Sequence, residues 1–151
     1  MAKKKLKEPT SYITPYLLYA DVGKALAFLK KAFGFSEYGS RFKDKDGIIR
    51  HAAMQHSDGS IFMMGSPGPK FKNPRKLGSV TQIMYITVDG VDKHFAKARK
   101  HGAKILEKPN DTFYGDRRYT AEDPEGHRWG FAQHVRNVSD KEMLKAAKER
   151  G

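Results

Sequence analysis

Twice along the chain, an aspartate suited to cap a helix precedes an amphipathic run, a glycine stop and a set of short alternating strands. Asp21 opens the run Val22 to Phe33 and Gly34 ends it, while Asp89 opens Val91 to His101 and Gly102 ends that one. The two caps and the two stops are each 68 residues apart. The segment Asp58-Gly59-Ser60-Ile61-Phe62-Met63 returns 67 residues later as Glu125-Gly126-His127-Arg128-Trp129-Gly130. Identity between the halves is low, so the repeat lies in the punctuation: capping carboxylates, left-handed glycine stops and strand order. It predicts a duplicated β-α-β-β-β unit. Such a unit has an open, curved sheet with one helix, and needs a second unit to close a core or a cavity.

The segments between these marks fill in the strands. Tyr12 to Ala20 is rich in aromatic and branched residues and reads as a strand, with Pro15 favouring an edge or a strand start. Phe35 to Phe42, Ile48 to Gln55 and Ser60 to Met64 follow, separated by turns at Asp44-Lys45-Asp46-Gly47 and Ser57-Asp58-Gly59. In the second half, Val80 to Val88, Ala103 to Lys108, Arg118 to Ala121 and His127 to His134 read as strands. The last is fed by a tight Asp123-Pro124-Glu125-Gly126 turn, and apolar Trp129 and Phe131 alternate in it with Arg128, Gly130, Ala132 and His134. That period of two sets one face under helices and leaves the other to line something polar or open. The expected fold is α+β: two βαβββ modules with curved mixed sheets enclosing a cavity.

This organisation divides the chain into a basic tail over 1–11, a single domain over 12–138 and a C-terminal helix over 139–151. The domain consists of modules 12–65 and 79–135, joined by a linker over 66–78 whose proline, glycine and lysine content suits a mobile loop. Ser139 and Glu142 form a capping-box pattern for the terminal helix, which Met143, Leu144 and Ala147 could dock.

Composition removes several functional classes. A hydrophobic content of 38% suits a globular protein rather than a disordered chain. No stretch approaches the roughly 18 apolar residues of a membrane helix, and the basic N-terminus lacks the apolar segment of a signal peptide. There is no cysteine, hence no disulfide, thiolate metal site or cysteine nucleophile, and a reducing cytoplasm is the expected location. The net charge of +12 suits polyanion contact, but the lysines are spread along the chain without an arginine-rich arm or a nucleic-acid motif. Specific nucleic-acid binding is therefore not expected; an accessory nucleic-acid-binding role rests on charge alone.

A set of short motifs, in order, carries a family resemblance over about Tyr12 to Met143. They are Ile13-Thr14-Pro15-Tyr16-Leu17, Lys31-Ala32-Phe33-Gly34, Phe113-Tyr114-Gly115-Asp116-Arg117, Asp123-Pro124-Glu125-Gly126-His127-Arg128-Trp129, Ala132-Gln133-His134 and Val138-Ser139. With the module repeat, they make the chain resemble the vicinal oxygen chelate superfamily (glyoxalase, bleomycin-resistance and extradiol dioxygenase proteins), and within it the PhnB-like branch. The resemblance implies the fold and a homodimer. It does not imply one reaction, because this fold hosts lyases, isomerases, dioxygenases and pure binding proteins.

Metal enzymes of the superfamily place one ligand on the first and one on the fourth strand of each module. Counted from the caps and turns, those positions fall here on Thr14, Met63, Ile83 and Gly130, with Gln82 as the alternative to Ile83 if the register shifts by one. A thioether is a poor ligand for hard metals, and Ile and Gly have no ligating side chain. No metal and no cofactor is therefore expected. The branch pattern also departs at Glu125, where relatives commonly carry Phe, and at Ala53, where they carry an acidic residue.

Ligand contact is instead expected from the cavity-facing side chains. By strand parity, Tyr16 and Leu18 share a face with Thr14, Tyr85 with Ile83, and Arg128 and His134 with Gly130, while Met63 and His51 lie on the first module's later strands. In the loop Thr112 to Arg118, Asp116 and Arg117 read as a turn-holding pair, with Tyr114 beside them; in the functional reading Arg117 or Arg118 takes an anionic ligand group. The leading reading is a metal-free protein that sequesters a small molecule. The alternative is a glyoxalase-class lyase or isomerase with a displaced or absent metal site and His51 or His134 as base.

Overall fold

The computed structural model describes residues 12–150, so the basic tail lies outside the described residues. The first half contains β1 (Tyr16–Leu18), α1 (Val22–Phe33), β2 (Ser36–Glu37), β3 (Phe42–Lys43), β4 (Ile49–Gln55) and β5 (Ile61–Gly65). The second contains α2 (Pro74–Leu77), β6 (Ile83–Thr87), α3 (Val91–Lys100), β7 (Lys104–Asp111), β8 (Asp116–Glu122), β9 (Arg128–His134) and α4 (Asp140–Glu149). The architecture is α+β, with two curved sheets. One runs β1-β5-β4-β2, with β3 also pairing β4, and the other β6-β9-β8-β7. In each sheet the strand before the helix pairs in parallel with the last strand, and the remaining pairs are antiparallel.

Local chemistry explains the two main helices differently. Asp21 is extended and its carboxylate accepts the amide of Lys24 at 3.0 Å; the apolar stripe Val22, Ala25, Leu26, Leu29, Ala32 and Phe33 is buried; and Gly34 ends the helix at φ 78°. The second helix does not use the expected Asp89 cap. Gly90 takes that position with no side-chain bond of its own, and the amide of Val91 is satisfied by the Gln133 side chain at 3.0 Å. The structural offset between the helix caps is thus 69, from Asp21 to Gly90. It agrees with the parallel registers Tyr16 to Met63 and Tyr85 to Gly130. Of the two alternatives, Ile83 rather than Gln82 corresponds to Thr14.

Several strands are shorter than expected. β2 and β3 together replace the run Phe35 to Phe42, which is interrupted at Gly39 (φ 72°) and by a register shift between Phe42 and Lys43. The Pro15 carbonyl accepts the amide of Met63 just before β1, consistent with a proline at a strand start. The linker contains α2, capped by Asn73 and closed by Gly78, so it is built into the fold rather than a loop throughout.

One hydrophobic core joins both halves on the helix side of the sheets. Phe33 of α1 packs against Trp129 and Phe131 of β9, with centroids 5.5 and 4.7 Å away, and Phe35 contacts both Phe62 and Trp129. The Trp129 and Phe131 rings are stacked and fully buried, as their alternation predicts. The helix α4 follows its Ser139 cap but buries none of its residues; Arg150 lies 5.0 Å over the Phe113 ring.

Candidate functional site

The faces turned away from this core carry exposed aromatic and aliphatic side chains beside polar ones. On the first sheet, Leu17 is buried while its neighbours Tyr16 and Leu18 are 48% and 40% exposed. On the second, Ile83 and Tyr85 are 45% and 42% exposed although they flank the core-facing Met84. Strand pairing places Tyr16 beside Met63 and His51 beside Gly65, and Tyr85 beside Gly130. Both tyrosines lie over glycines: a Cβ on Gly65 would meet the Tyr16 hydroxyl at 2.6 Å, and one on Gly130 would meet the Tyr85 ring at 3.4 Å. The absent side chains are what let these rings lie along the sheet.

Each tyrosine anchors a polar cluster. Tyr16 and His51 share a hydrogen bond of 2.9 Å through His51 Nδ1, and the Phe42 ring stacks on His51 at 5.4 Å. The Nε2 of His51 has no hydrogen-bond partner among the described residues. On the second sheet, Tyr85 donates to Asp116 at 2.9 Å, and the other oxygen of Asp116 contacts His134 Nδ1 at 3.3 Å. His134 Nε2 meets the Asn137 side chain at 2.7 Å. Burial, together with hydrogen bonds to Tyr114 and Asp116, pushes the Tyr85 hydroxyl far up, so it stays a neutral donor and does not act as a phenolate base. The Asn137 and Asp116 acceptors raise the pKa of His134 above its ordinary value, so it holds its proton more tightly and favours the imidazolium form beside Asp116.

The loop arginines divide between the two faces. The expected Asp116–Arg117 pair does not form. Arg117 turns to the helix side, where Asp92 (3.2 Å) and Asp111 (3.1 Å) hold it and push its pKa up. It is therefore not on the open face with the other candidates. Arg118 pairs with Ala132 in the strand register, on the side of Asp116 and His134. Its guanidinium stands 3.9 Å from Glu107, and its Nε is buried without a hydrogen-bond partner. Tyr114 joins Tyr85 and Asp116, while Arg128, at the start of β9, is exposed and forms no ion pair among the described residues. The candidates thus fall into three places: Tyr16, Leu18, His51 and Met63 on the first sheet; Tyr85, Tyr114 and His134 on the second; and Arg128 at the outer end of the second.

Two participants lack an obvious local signal. Phe42 reaches His51 because the Asp44 to Gly47 turn folds their strands together, so counting outward from that turn could have paired them. Asp116 reaches Tyr85 across a non-adjacent strand, which spacing does not reveal. His56 and His127 serve structure: their Nε2 atoms bond the carbonyls of Thr87 (2.8 Å) and Leu18 (2.7 Å), each in the opposite half.

The four superfamily metal positions are a poor fit to an ion. Met63, Ile83 and Gly130 offer a thioether, an alkyl group and no side chain, and Thr14 a neutral hydroxyl. Among the described residues no group of three or more His, Asp or Glu side chains is arranged to hold a metal ion. A recess of about 300 Å³ opens between the two halves instead, lined by Pro15, Ile61, Met84, Tyr85, Ile86 and Thr87, with His56, Asp58 and Ser60 also on its walls. Apolar walls with a few polar groups are what small organic molecules require.

Comparison with known proteins agrees with this architecture. The model of the glyoxalase/bleomycin resistance protein/dioxygenase superfamily matches residues 11–131. The uncharacterized protein Mb0911c of Mycobacterium bovis is 32% identical over 143 residues, 92% of this chain and 93% of its own length. The uncharacterized protein Rv0887c of Mycobacterium tuberculosis is likewise 32% identical, over 92% of this chain and 84% of its own. Among solved structures, TioX from Micromonospora sp. ML1 superposes with a TM-score of 0.66 at 31% identity, over 83% of this chain and 99% of that one. The fosfomycin resistance protein FosX from Listeria monocytogenes reaches a TM-score of 0.62 at 15% identity, over 89% and 98%, a likeness of fold alone. The paired sheets, the repeated parallel strand beside each last strand, and the match across most of the sequence lead to one conclusion: the chain belongs to the glyoxalase/bleomycin resistance protein/dioxygenase superfamily.

Proposed function

We propose that this chain is a PhnB-like member of the superfamily that binds and sequesters a small, flat or amphipathic organic molecule without a metal ion. The observation that carries the reading is the replacement of the ligating positions by Met63, Ile83 and Gly130 beneath an exposed aromatic and aliphatic face. The ligand packs against Tyr16, Leu18 and Tyr85, and the Tyr16–His51 and Tyr85–Asp116 pairs supply the oriented hydrogen bonds. A second copy covers the open faces and completes the enclosure, since side chains such as Tyr85 and Ile83 lie bare on the single chain. Elemental analysis of the purified protein, with binding titrations of planar amphiphiles, tests this reading. Saturable binding without added metal, weakened by Tyr85→Ala and Tyr16→Ala, is expected. One tightly held divalent ion per chain, lost on substitution of open-face residues, would overturn it.

A second reading rests on His51. Its Nδ1 is engaged by Tyr16 while its Nε2 has no described partner, an arrangement that supports a proton-transfer role in a lyase or isomerase. Assays of hemithioacetal isomerisation and acyl-thioester epimerisation, with and without divalent metals, decide between the two. Turnover lost in His51→Gln supports the enzyme; no turnover in either assay removes it.

A further inference from the structure

A second depression, of about 200 Å³, lies off the centre of the open faces, where the linker meets the outer ends of β7, β8 and β9. Its walls carry Arg75, Lys104 and Arg128 against a single carboxylate, Glu122. We propose that this cleft is an anion site that takes the phosphate or carboxylate group of a small organic acid. None of the charged residues of this cleft belongs to the tyrosine clusters, so anion binding here can be measured apart from ligand binding there.

The cations are arranged differently from ordinary surface lysines and arginines. Arg75 is held in place before any ligand arrives. Its amide donates to the Glu125 carbonyl at 3.0 Å, its Nε donates to the Pro124 carbonyl at 2.8 Å and its Nη2 lies 3.5 Å from the Asp123 carbonyl, so it brings fixed charge to the cleft more than free donors. Gly126 makes this approach possible: at φ 90°, a Cβ there would stand 2.8 Å from the Arg75 amide nitrogen. Arg128 is the opposite case, a guanidinium with no hydrogen bond or ion pair among the described residues, on the strand neighbouring Glu122. Lys104 stands 3.8 Å from Glu122, too far for a tight pair, and is itself 65% exposed. Three positive groups against one loosely paired carboxylate leave an excess positive charge at a concave site. There the field is stronger than over a flat surface, and a guanidinium offers paired donors to a phosphate or carboxylate. Ser79 also lines the cleft and adds a side chain with a hydroxyl donor. Pro74, Ser79 and Val80 also form part of a neighbouring apolar depression lined by Tyr16, Leu18, Phe71 and Leu77. The organic part of a bound acid therefore has apolar surface close to its acidic group.

Calorimetric titration with inorganic phosphate and, separately, with acetate tests the site, at constant ionic strength so that the general attraction of a chain of charge +12 is held fixed. The expected result is saturation at one anion per chain by at least one of the two, and the tighter of them assigns the acidic group. Arg128→Gln should weaken that binding about tenfold, the scale of one charge-assisted hydrogen bond, with Lys104→Gln acting in the same direction. Lys141→Gln, which removes an exposed charge on α4, should leave it unchanged. Arg128→Gln should retain the wild-type melting temperature in anion-free buffer, because Arg128 has no described partner to lose. Heats that fail to saturate with both anions, or affinities equal in wild type, Arg128→Gln and Lys104→Gln, overturn the proposal. Planar amphiphile binding that survives in Arg128→Gln leaves the tyrosine faces as the ligand site whichever way the anion result falls.

Discussion

At the level of single residues, Asp123 concentrates the connectivity of the molecule. Its carboxylate is buried and accepts from the Tyr19 hydroxyl at 2.7 Å, the Trp129 indole at 3.2 Å and the amides of Glu125 and His127 at 3.0 Å each. Burial pushes its carboxyl up, and the donors and nearby His127 pull the other way; burial and the carboxylate together hold the Tyr19 hydroxyl protonated. Tyr19→Phe should therefore cost about 1.5–3 kcal/mol, the scale of a hydrogen bond to a charged group, measured by urea denaturation. His94 gives a pH dependence. It is wedged between Phe33 and Phe131, its Nδ1 is 2.6 Å from the Tyr119 hydroxyl and its Nε2 is 2.9 Å from the Phe33 carbonyl. Burial, then the nearby Lys97 and His56, depress its pKa. The unfolded imidazole takes a proton near pH 6.5, about its unperturbed value, while the folded one resists, so stability is lost as pH falls below that point. Relative to His94→Gln, the wild type should lose stability between pH 7 and pH 5, and parallel denaturation curves would show whether it does. His94 stands on α3. Its two partners come from α1 and β8, 61 and 25 residues away, which helical periodicity cannot register.

Among the elements, the turn before β9 ties the halves together. Glu125 accepts the amides of Ala20 (2.7 Å) and Asp21 (2.9 Å), and the Asn73 amide at 2.9 Å. Helix α1 has no acidic residue in its first turn, so a carboxylate from the other half complements the positive end of its dipole. Glu125→Ala should destabilise the protein by about 1–2 kcal/mol, in the range of a lost helix cap. Glu125→Gln should recover part of that, and thermal denaturation of the three proteins orders them. Glu125, one of the residues at which the sequence departs from its resemblance, thus performs a structural task. The repeat of caps, stops and strands was readable because those features are local: Asp21 and Gly34 behave as their types demand. Asp89 was not readable in the same way, because the amide at the start of α3 is met by Gln133, 42 residues distant. For the open face the alternation correctly set Trp129 and Phe131 against Gly130 and His134. The fate of Arg117 depended instead on Asp92 of α3, a tertiary partner that strand parity does not name.

For the molecule as a whole, the shared core makes the halves one thermodynamic unit. Phe33 belongs to the first half by sequence but packs against Trp129 and Phe131. Phe33→Ala should cost about 3–5 kcal/mol while leaving a single transition, seen together by Trp129 fluorescence and far-UV circular dichroism. Two separate transitions would mean that the halves unfold independently. The exposed apolar faces predict self-association, and sedimentation should give a dimer at micromolar concentration; a monomer there would count against a second copy covering the faces. No helix among the described residues is long and apolar enough to cross a membrane.

The turn ties also bear on how the protein is made. The bonds from Tyr19 to Asp123, Ala20 to Glu125 and His127 to Leu18 span 104, 105 and 109 residues. Until the ribosome has released the segment around residue 125, the amides of Ala20 and Asp21 lack the Glu125 carboxylate, and Leu18 and Tyr19 lack their partners. The first half can pack α1 on its own sheet before then, but Phe33 lacks its Trp129 and Phe131 contacts until β9 is present. Folding is accordingly expected to be slowed by the closure of these long loops.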